Sequence, residues 1–120
     1  MKINNIFEPA IQGVKVIHFE RFLDKRGYFS ETFRDSDFLE NKLGLFPNGI
    51  MQTNESYSKR NVLRGLHYQN EPYGQDKLVR VIKGSVIDVA VDIREGSPTY
   101  GKWVKVFLSE KNKLSFLIRI

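Results

Sequence analysis

The chain is a succession of short segments in which apolar and polar residues alternate with a period near two, the spacing of half-buried β-strands. Val14 to Phe19 reads as a strand. The cluster Asp24-Lys25-Arg26-Gly27 supplies turn chemistry before Tyr28 to Phe33, an alternating aromatic segment. Ile50 to Ser58 alternates so that Gln52, Asn54, Ser56 and Ser58 share one face, and such a polar line wants water or a ligand. Lys77 to Ile82 and Val86 to Ile93, rich in Val and Ile and joined by Lys83-Gly84-Ser85, predict a β-hairpin. Trp103 to Leu108 and Leu114 to Ile118 predict a second pair, joined through Glu110-Lys111-Asn112-Lys113. The pattern changes period once. Ser36 to Gly44 predicts a short helix, with Ser36 as N-cap, acids in the first turn, Lys42 near the end and Gly44 as terminator. Phe46-Pro47-Asn48-Gly49 reads as the loop that follows. Short strands at close spacing with turn signals between them predict an all-β antiparallel sandwich or barrel.

Composition narrows this picture. At 120 residues and 41% apolar content there is material for one core, and no linker, repeat or low-complexity segment divides it, so residues 1–120 are expected to form a single domain. No apolar stretch approaches the roughly 20 residues needed to cross a bilayer, and Met1-Lys2-Ile3-Asn4-Asn5 lacks the apolar block of a secretory signal. A soluble, cytoplasmic protein without membrane contact is the expectation. With no cysteine there is no disulfide frame, thiolate ligand or thiol nucleophile. The formal charge of +5 and pI near 9.5 suit an anionic partner. The basic residues are scattered among strands and turns, so no basic arm or recognition helix is visible, and a small anion held by a few arginines fits better than nucleic acid.

His67 leads the candidates for chemistry, because imidazole titrates near neutrality and serves readily as a general base. A histidine bonded to a backbone carbonyl at a strand end is the competing reading. Arg64 lies three residues before it, and Gly65 between them is the residue type that admits a bulge and re-aims a side chain. Lys77 opens a mostly apolar strand, so its ammonium either snorkels outward or points into a polar pocket. Asp88 could pair with it. Asp88 and Asp92 share a face with Ala90, opposite Ile87, Val89, Val91 and Ile93, and a solvated face bearing weak ion pairs is the simpler reading of that pattern. The company of Arg26, Glu31, Gln52, Asn54 and Arg64 speaks for a site instead. His18 is the only other histidine and no ligand spacing appears, so no metal is expected. Serine catalysis has no Gly-x-Ser-x-Gly, and phosphate loops rich in glycine are also missing.

Six ordered stretches carry a family resemblance: Phe22-Leu-Asp24-Lys-Arg26-Gly-Tyr-Phe29-Ser-Glu31, Gln52-Thr53-Asn54-Glu-Ser56, Val62-Leu-Arg64-Gly-Leu-His67-Tyr-Gln69, Gln75-Asp-Lys77-Leu-Val79, Gly84-Ser-Val-Ile-Asp88-Val-Ala-Val-Asp92-Ile-Arg94 and Ser97-Pro-Thr-Tyr-Gly101. From about Val14 to Ile118 the chain resembles the dTDP-4-dehydrorhamnose 3,5-epimerases, nucleotide-sugar epimerases of dTDP-rhamnose biosynthesis. The resemblance implies a cupin-like jelly roll, a homodimer with strands exchanged between subunits, a dTDP-sugar substrate, and catalysis without metal or cofactor. It implies that His67 removes protons from C3 and C5, both α to the C4 ketone, that Lys77 stabilises the enolate, and that Asp88 orients Lys77. It further implies that Arg64 grips the pyrophosphate, that Arg26, Glu31, Gln52, Thr53 and Asn54 contact nucleotide and phosphate, and that Phe22 and Phe29 pack near thymine. Arg26 and Glu31 would serve the partner subunit's site.

The family pattern continues past the strand Leu114–Ile118 with Pro-x-Gly-Phe-Ala-His-Gly-Phe, for which Arg119-Ile120 offers no counterpart. A second histidine, a proton-donating tyrosine, the aspartate that pairs with the catalytic histidine, and closing strands have no match in these 120 residues. An incomplete epimerase domain from a truncated coding sequence is the expectation. Two alternatives stand beside the 3,5-epimerase: an inactive fragment that binds dTDP or associates with other subunits, and a single-carbon 3- or 5-epimerase.

Overall fold

The computed structural model describes residues 3–33 and 52–119. Eight strands form among the described residues: β1 (Ile3–Phe7), β2 (Val14–Phe19), β3 (Phe22–Asp24), β4 (Gly27–Phe29), β5 (Lys77–Arg80), β6 (Ser85–Val91), β7 (Trp103–Ser109) and β8 (Leu114–Ile118). The helix expected over Ser36 to Gly44, the loop after it and the start of the strand at Ile50 lie outside the described residues. β1 was not expected from the sequence; its residues INNIF carry two asparagines among the apolar positions.

The four-stranded sheet runs β1-β2-β8-β5, all antiparallel, and β6 pairs with β7 in a second sheet, while β3 and β4 form a hairpin of their own. This corrects both expected pairings. β5 does not form a hairpin with β6, and β7 does not pair with β8. At each turn the chain instead crosses from one sheet to the other. The physical reason is that the inner faces must meet across a core, not lie side by side. Val79 and Val81 from the β5 segment, and Phe116 and Val14 from the four-stranded sheet, pack with Ala90 of β6 and with Val104, Val106 and Leu108 of β7. The two crossing turns are tied together, since the Gly84 N–H donates to the Glu110 carboxylate and the Glu110 N–H to the Gly84 carbonyl, each at 3.1 Å. Gly84 takes φ +86, where a side chain would be strained, so glycine is what turns this corner.

The other face of the four-stranded sheet buries Ile17, Phe19 and Leu117, with Ile6, Leu78 and Phe33 packed against them. β8 thus feeds two cores from adjacent residues, Phe116 inward and Leu117 outward, both fully buried. Each such side chain contributes about 1.5–3 kcal/mol of burial.

Two expected strands are shorter or absent. The aromatic run Tyr28 to Phe33 is a strand only as far as Phe29, because the Ser30 hydroxyl donates to the Glu20 carbonyl at 2.6 Å and the chain leaves the hairpin there. Residues 52–58 form no strand and are exposed, their alternation lacking an apolar face to bury. The reading of Asp88, Ala90 and Asp92 as a solvated face is also overturned. That face points into the sandwich, with Ala90 and Asp92 buried and Asp88 partly so, whereas Ile87 and Val89 on the other side of β6 are exposed.

Candidate active site

β6 presents Asp88 on its inward face, opposite Val106 of β7. Burial pushes the Asp88 carboxyl up, while a bond from the Val89 backbone and the charges of Lys77 and His67 pull it down. Lys77 and His67 thus act on this carboxylate through their charge, and among the described residues neither makes an ion pair or hydrogen bond with it. Lys77 opens β5 opposite Ile118 and shares a strand face with Val79 and Val81, so it stands on the inner side of the sheet at its end. Its exposure places the ammonium at the mouth of the sandwich rather than in the core.

His67 is exposed, in a stretch over residues 52–76 that contains no strand. Gly65 sets its place. Gly65 has φ +106, and a Cβ there would lie 3.2 Å from His67 Nδ1 and 3.5 Å from its backbone nitrogen. The residue thus meets two demands, a backbone conformation closed to side chains and an imidazole packed on its α-carbon. The bulge in a strand expected at this position is instead a glycine turn in an irregular segment. Gly65→Ala is expected to strain the turn by about 1–3 kcal/mol and to displace the ring. In NMR spectra the His67 ring resonances of this variant should move while those of His18 stay; unmoved His67 signals would refute it.

Arg64 is braced by two bonds, Nε donating to Ser58 Oγ at 2.9 Å and Nη2 to the Tyr57 carbonyl at 3.0 Å. With five donors on a guanidinium, others stay available to an anion. Gln52 Nε2 donates to Asn54 Oδ1 at 3.1 Å, with Thr53 exposed between them. The remaining candidates sit apart. Phe22 and Phe29 are cross-strand partners on the β3–β4 hairpin and both are exposed. Arg26 at its turn donates from Nη2 to Asp24 Oδ2 at 2.6 Å, and this guanidinium holds the Asp24 carboxyl below its usual range. Glu31 follows the hairpin and is partly buried.

Sequence reasoning missed two features. Ser58 and Tyr57 brace Arg64, and nothing in their spacing marks them. Asp92 is the other, with a side chain of 0% exposure. Its Oδ1 accepts from Arg94 Nε at 3.0 Å and from the Arg94 backbone at 3.1 Å. Its Oδ2 accepts from Ser97 Oγ and Thr99 Oγ1, each at 2.6 Å, and from Arg94 Nη2 at 3.0 Å. Arg94 Nη2 also donates to the Gln12 carbonyl at 2.8 Å, which binds the β6–β7 loop to the β1–β2 loop. These bonds hold the Asp92 carboxyl far below its ordinary value. A legible sign existed: Asp followed by Arg, Ser and Thr at short intervals is turn chemistry in which an Asp side chain accepts from the backbone two residues on.

Among the described residues no three His, Asp or Glu side chains converge as a metal would require, and no helix is long and apolar enough to cross a membrane. Two antiparallel sheets facing each other across a shared core define a cupin-like β-sandwich protein. A sequence model of dTDP-4-dehydrorhamnose 3,5-epimerase matches residues 8–119, and the chain belongs to that family. A dTDP-4-dehydrorhamnose 3,5-epimerase of Methanothermobacter thermautotrophicus is 50% identical over 111 residues, 92% of this chain and 58% of the relative. The crystal structure of a dTDP-6-deoxy-D-glucose-3,5-epimerase from Legionella pneumophila, in complex with dTDP-4-keto-L-rhamnose, superposes with a TM-score of 0.88 at 47% identity, covering 96% of this chain and 60% of that one. A 3'-monoepimerase from Streptomyces bikiniensis, in complex with dTDP-quinovose, superposes at 0.82 with 32% identity, covering 92% and 55%. The chain thus spans between half and three-fifths of the length of these relatives.

Proposed function

We propose that the chain carries the proton-abstracting half of a dTDP-4-dehydro-6-deoxyglucose 3,5-epimerase site, with a dTDP-sugar as substrate and dTDP-4-dehydrorhamnose as product. The observation that supports this reading is that Asp88, partly buried on the inner face of β6, feels the charges of both Lys77 and His67. A proton α to a ketone leaves only if a base takes it and the electron pair is held on the ketone oxygen. His67 supplies the base. The imidazole accepts the C3 or C5 proton, the C–H pair becomes the enolate double bond, and the C4 oxygen takes the negative charge that the Lys77 ammonium stabilises. Asp88, on the inner face of β6, attracts that ammonium. Arg64, fixed by Ser58 and Tyr57, offers its unused donors to the pyrophosphate, and Gln52, Thr53 and Asn54 lie on the same irregular segment to meet the nucleotide.

The β3–β4 hairpin supports a dimeric reading of this site. Phe22, Arg26 and Phe29 project from a small sheet separate from the one that carries Lys77 and from the one that carries Asp88, and all three are exposed. We place them, with Glu31, in the site of a second copy, where the two rings stack on thymine and Arg26 meets phosphate.

Deuterium uptake from heavy water into dTDP-4-keto-6-deoxyglucose, read at C3 and C5 separately, tests the proposal. Uptake at both carbons is expected. Uptake at one alone would select the single-carbon epimerase. A folded protein that binds dTDP without uptake would leave a binding module and remove the enzymatic reading.

A further inference from the structure

A second concentration of positive charge lies away from Lys77 and Asp88. Where the outer face of the four-stranded sheet meets the segment after β4, a cavity of ≈ 40 Å³ is lined by Arg21, Arg80, Lys113, Thr32, Ser30 and Ser115, and no carboxylate lines it. Arg80 and Ser115 are cross-strand partners on β5 and β8. They share the outer face with Leu78 and Leu117, and the cavity wraps the end of the sheet at Val81, Ser109 and Leu114, at the opposite end of β5 from Lys77.

Three observations mark the cavity as built for an anion. Among the described residues, neither Arg21, Arg80 nor Lys113 has a carboxylate within ion-pair distance, although the chain has 14 acids to offer. Uncompensated cations gathered in one recess repel each other, and a bound anion reverses that cost. Arg21 is held in place by the ring of Tyr28, its guanidinium 4.4 Å from the centroid. Ser115 is only 2% exposed, and its hydroxyl makes no hydrogen bond to any described residue. A buried hydroxyl left so costs about 1–3 kcal/mol unless something in the cavity takes the bond. The other hydroxyls differ in kind: Ser30 already donates to the Glu20 carbonyl. Ser115 and Thr32 remain as neutral donors beside the three cations.

Size limits the ligand. At about 10–15 Å³ for each water-sized group, ≈ 40 Å³ takes roughly three to four, the scale of one tetrahedral oxyanion and too little for a nucleoside. We propose that Arg21, Arg80, Lys113, Thr32 and Ser115 form a binding site for a single phosphoryl group, independent of the dTDP-sugar site. The same chemistry is offered by free phosphate and by the terminal group of a phosphomonoester.

Titration of the full chain with inorganic phosphate, and separately with phenyl phosphate, followed by amide NMR at constant ionic strength in chloride, is the test. Saturable shifts are expected at Thr32, Lys113 and Ser115. Response to phenyl phosphate as well would mean that the site reads a terminal phosphoryl group, and response to phosphate alone that it encloses the free ion; either supports the site. Arg80→Gln should weaken binding by about ten- to a hundredfold, the scale of one charge-assisted bond. Ser115→Ala, which removes one oxygen from a buried position and so preserves the fold, should weaken it by about fivefold or more. Non-saturating shifts, shifts confined to Arg64 and its neighbours, or unchanged affinity in both variants would overturn the proposal.

Discussion

Replacing His67 by alanine is expected to lower deuterium exchange at C3 and C5 by about 10²–10⁴-fold, the range supplied by a positioned general base. The thermal midpoint should hardly move, because His67 is exposed. Asp88→Asn is the informative partner experiment. Burial raises the Asp88 pKa, so its ionised form costs the fold some stability at neutral pH, and a neutral amide of the same shape removes that cost. The variant should melt at the same or a slightly higher temperature and still lose exchange, since Lys77 loses the attraction of that carboxylate. A gain in stability together with a loss of rate separates a group kept for chemistry from one kept for structure. Near-normal exchange in His67→Ala would remove the imidazole from the mechanism.

Asp92→Asn should do the reverse. The carboxylate lies at 0% exposure and accepts from Arg94, Ser97 and Thr99. Breaking a buried ion pair costs about 3–5 kcal/mol. Arg94 is 37% exposed and regains water, so a loss of about 2–3 kcal/mol is expected here, measured by urea unfolding. The pH dependence has a definite sign. The folded carboxyl is held far below its ordinary value, so the stabilisation is complete above the unfolded pKa of about 3.9 and is lost progressively as pH falls below it. Asp88 runs the other way, its neutral-pH cost being relieved on acidification. The wild-type chain should therefore lose stability below about pH 4 more steeply than Asp92→Asn. Parallel acid curves for the two proteins would show that Asp92 does not hold the loop by its charge.

Strand positions were legible because period-two alternation is a local property: β2 falls where Val14 to Phe19 predicts it, and β7 and β8 follow their apolar runs closely. Strand partners were not. Whether Lys77 to Ile82 bonds to its neighbour in sequence or crosses to another sheet depends on which faces are covered, and Val79 reads the same in either case. The inward turn of Asp88 and Asp92 was hidden for the same reason. Ile87 and Val89 outnumber the acids in hydrophobicity, and only the ring of donors around Asp92, drawn partly from Arg94 and Thr99 beyond the strand, makes its burial affordable. His67, Lys77 and Asp88 stood out by residue type and by family likeness. Gly65 stood out by its position between Arg64 and His67, although its role is to seat an imidazole and not to bulge a strand.

The place of β8 in the sheet also dictates when the protein can acquire its shape. Val14 bonds opposite Ile118, and Lys77 opposite the same residue, so β2 and β5 are neighbours only through a strand made roughly a hundred residues after β2 begins. Until the ribosome has released that segment, both strands present open edges and neither core can close. Assembly must therefore wait for β8 and is slow, as contacts between distant residues require. The nascent chain, with β2 and β5 bare, is the species most exposed to aggregation during expression.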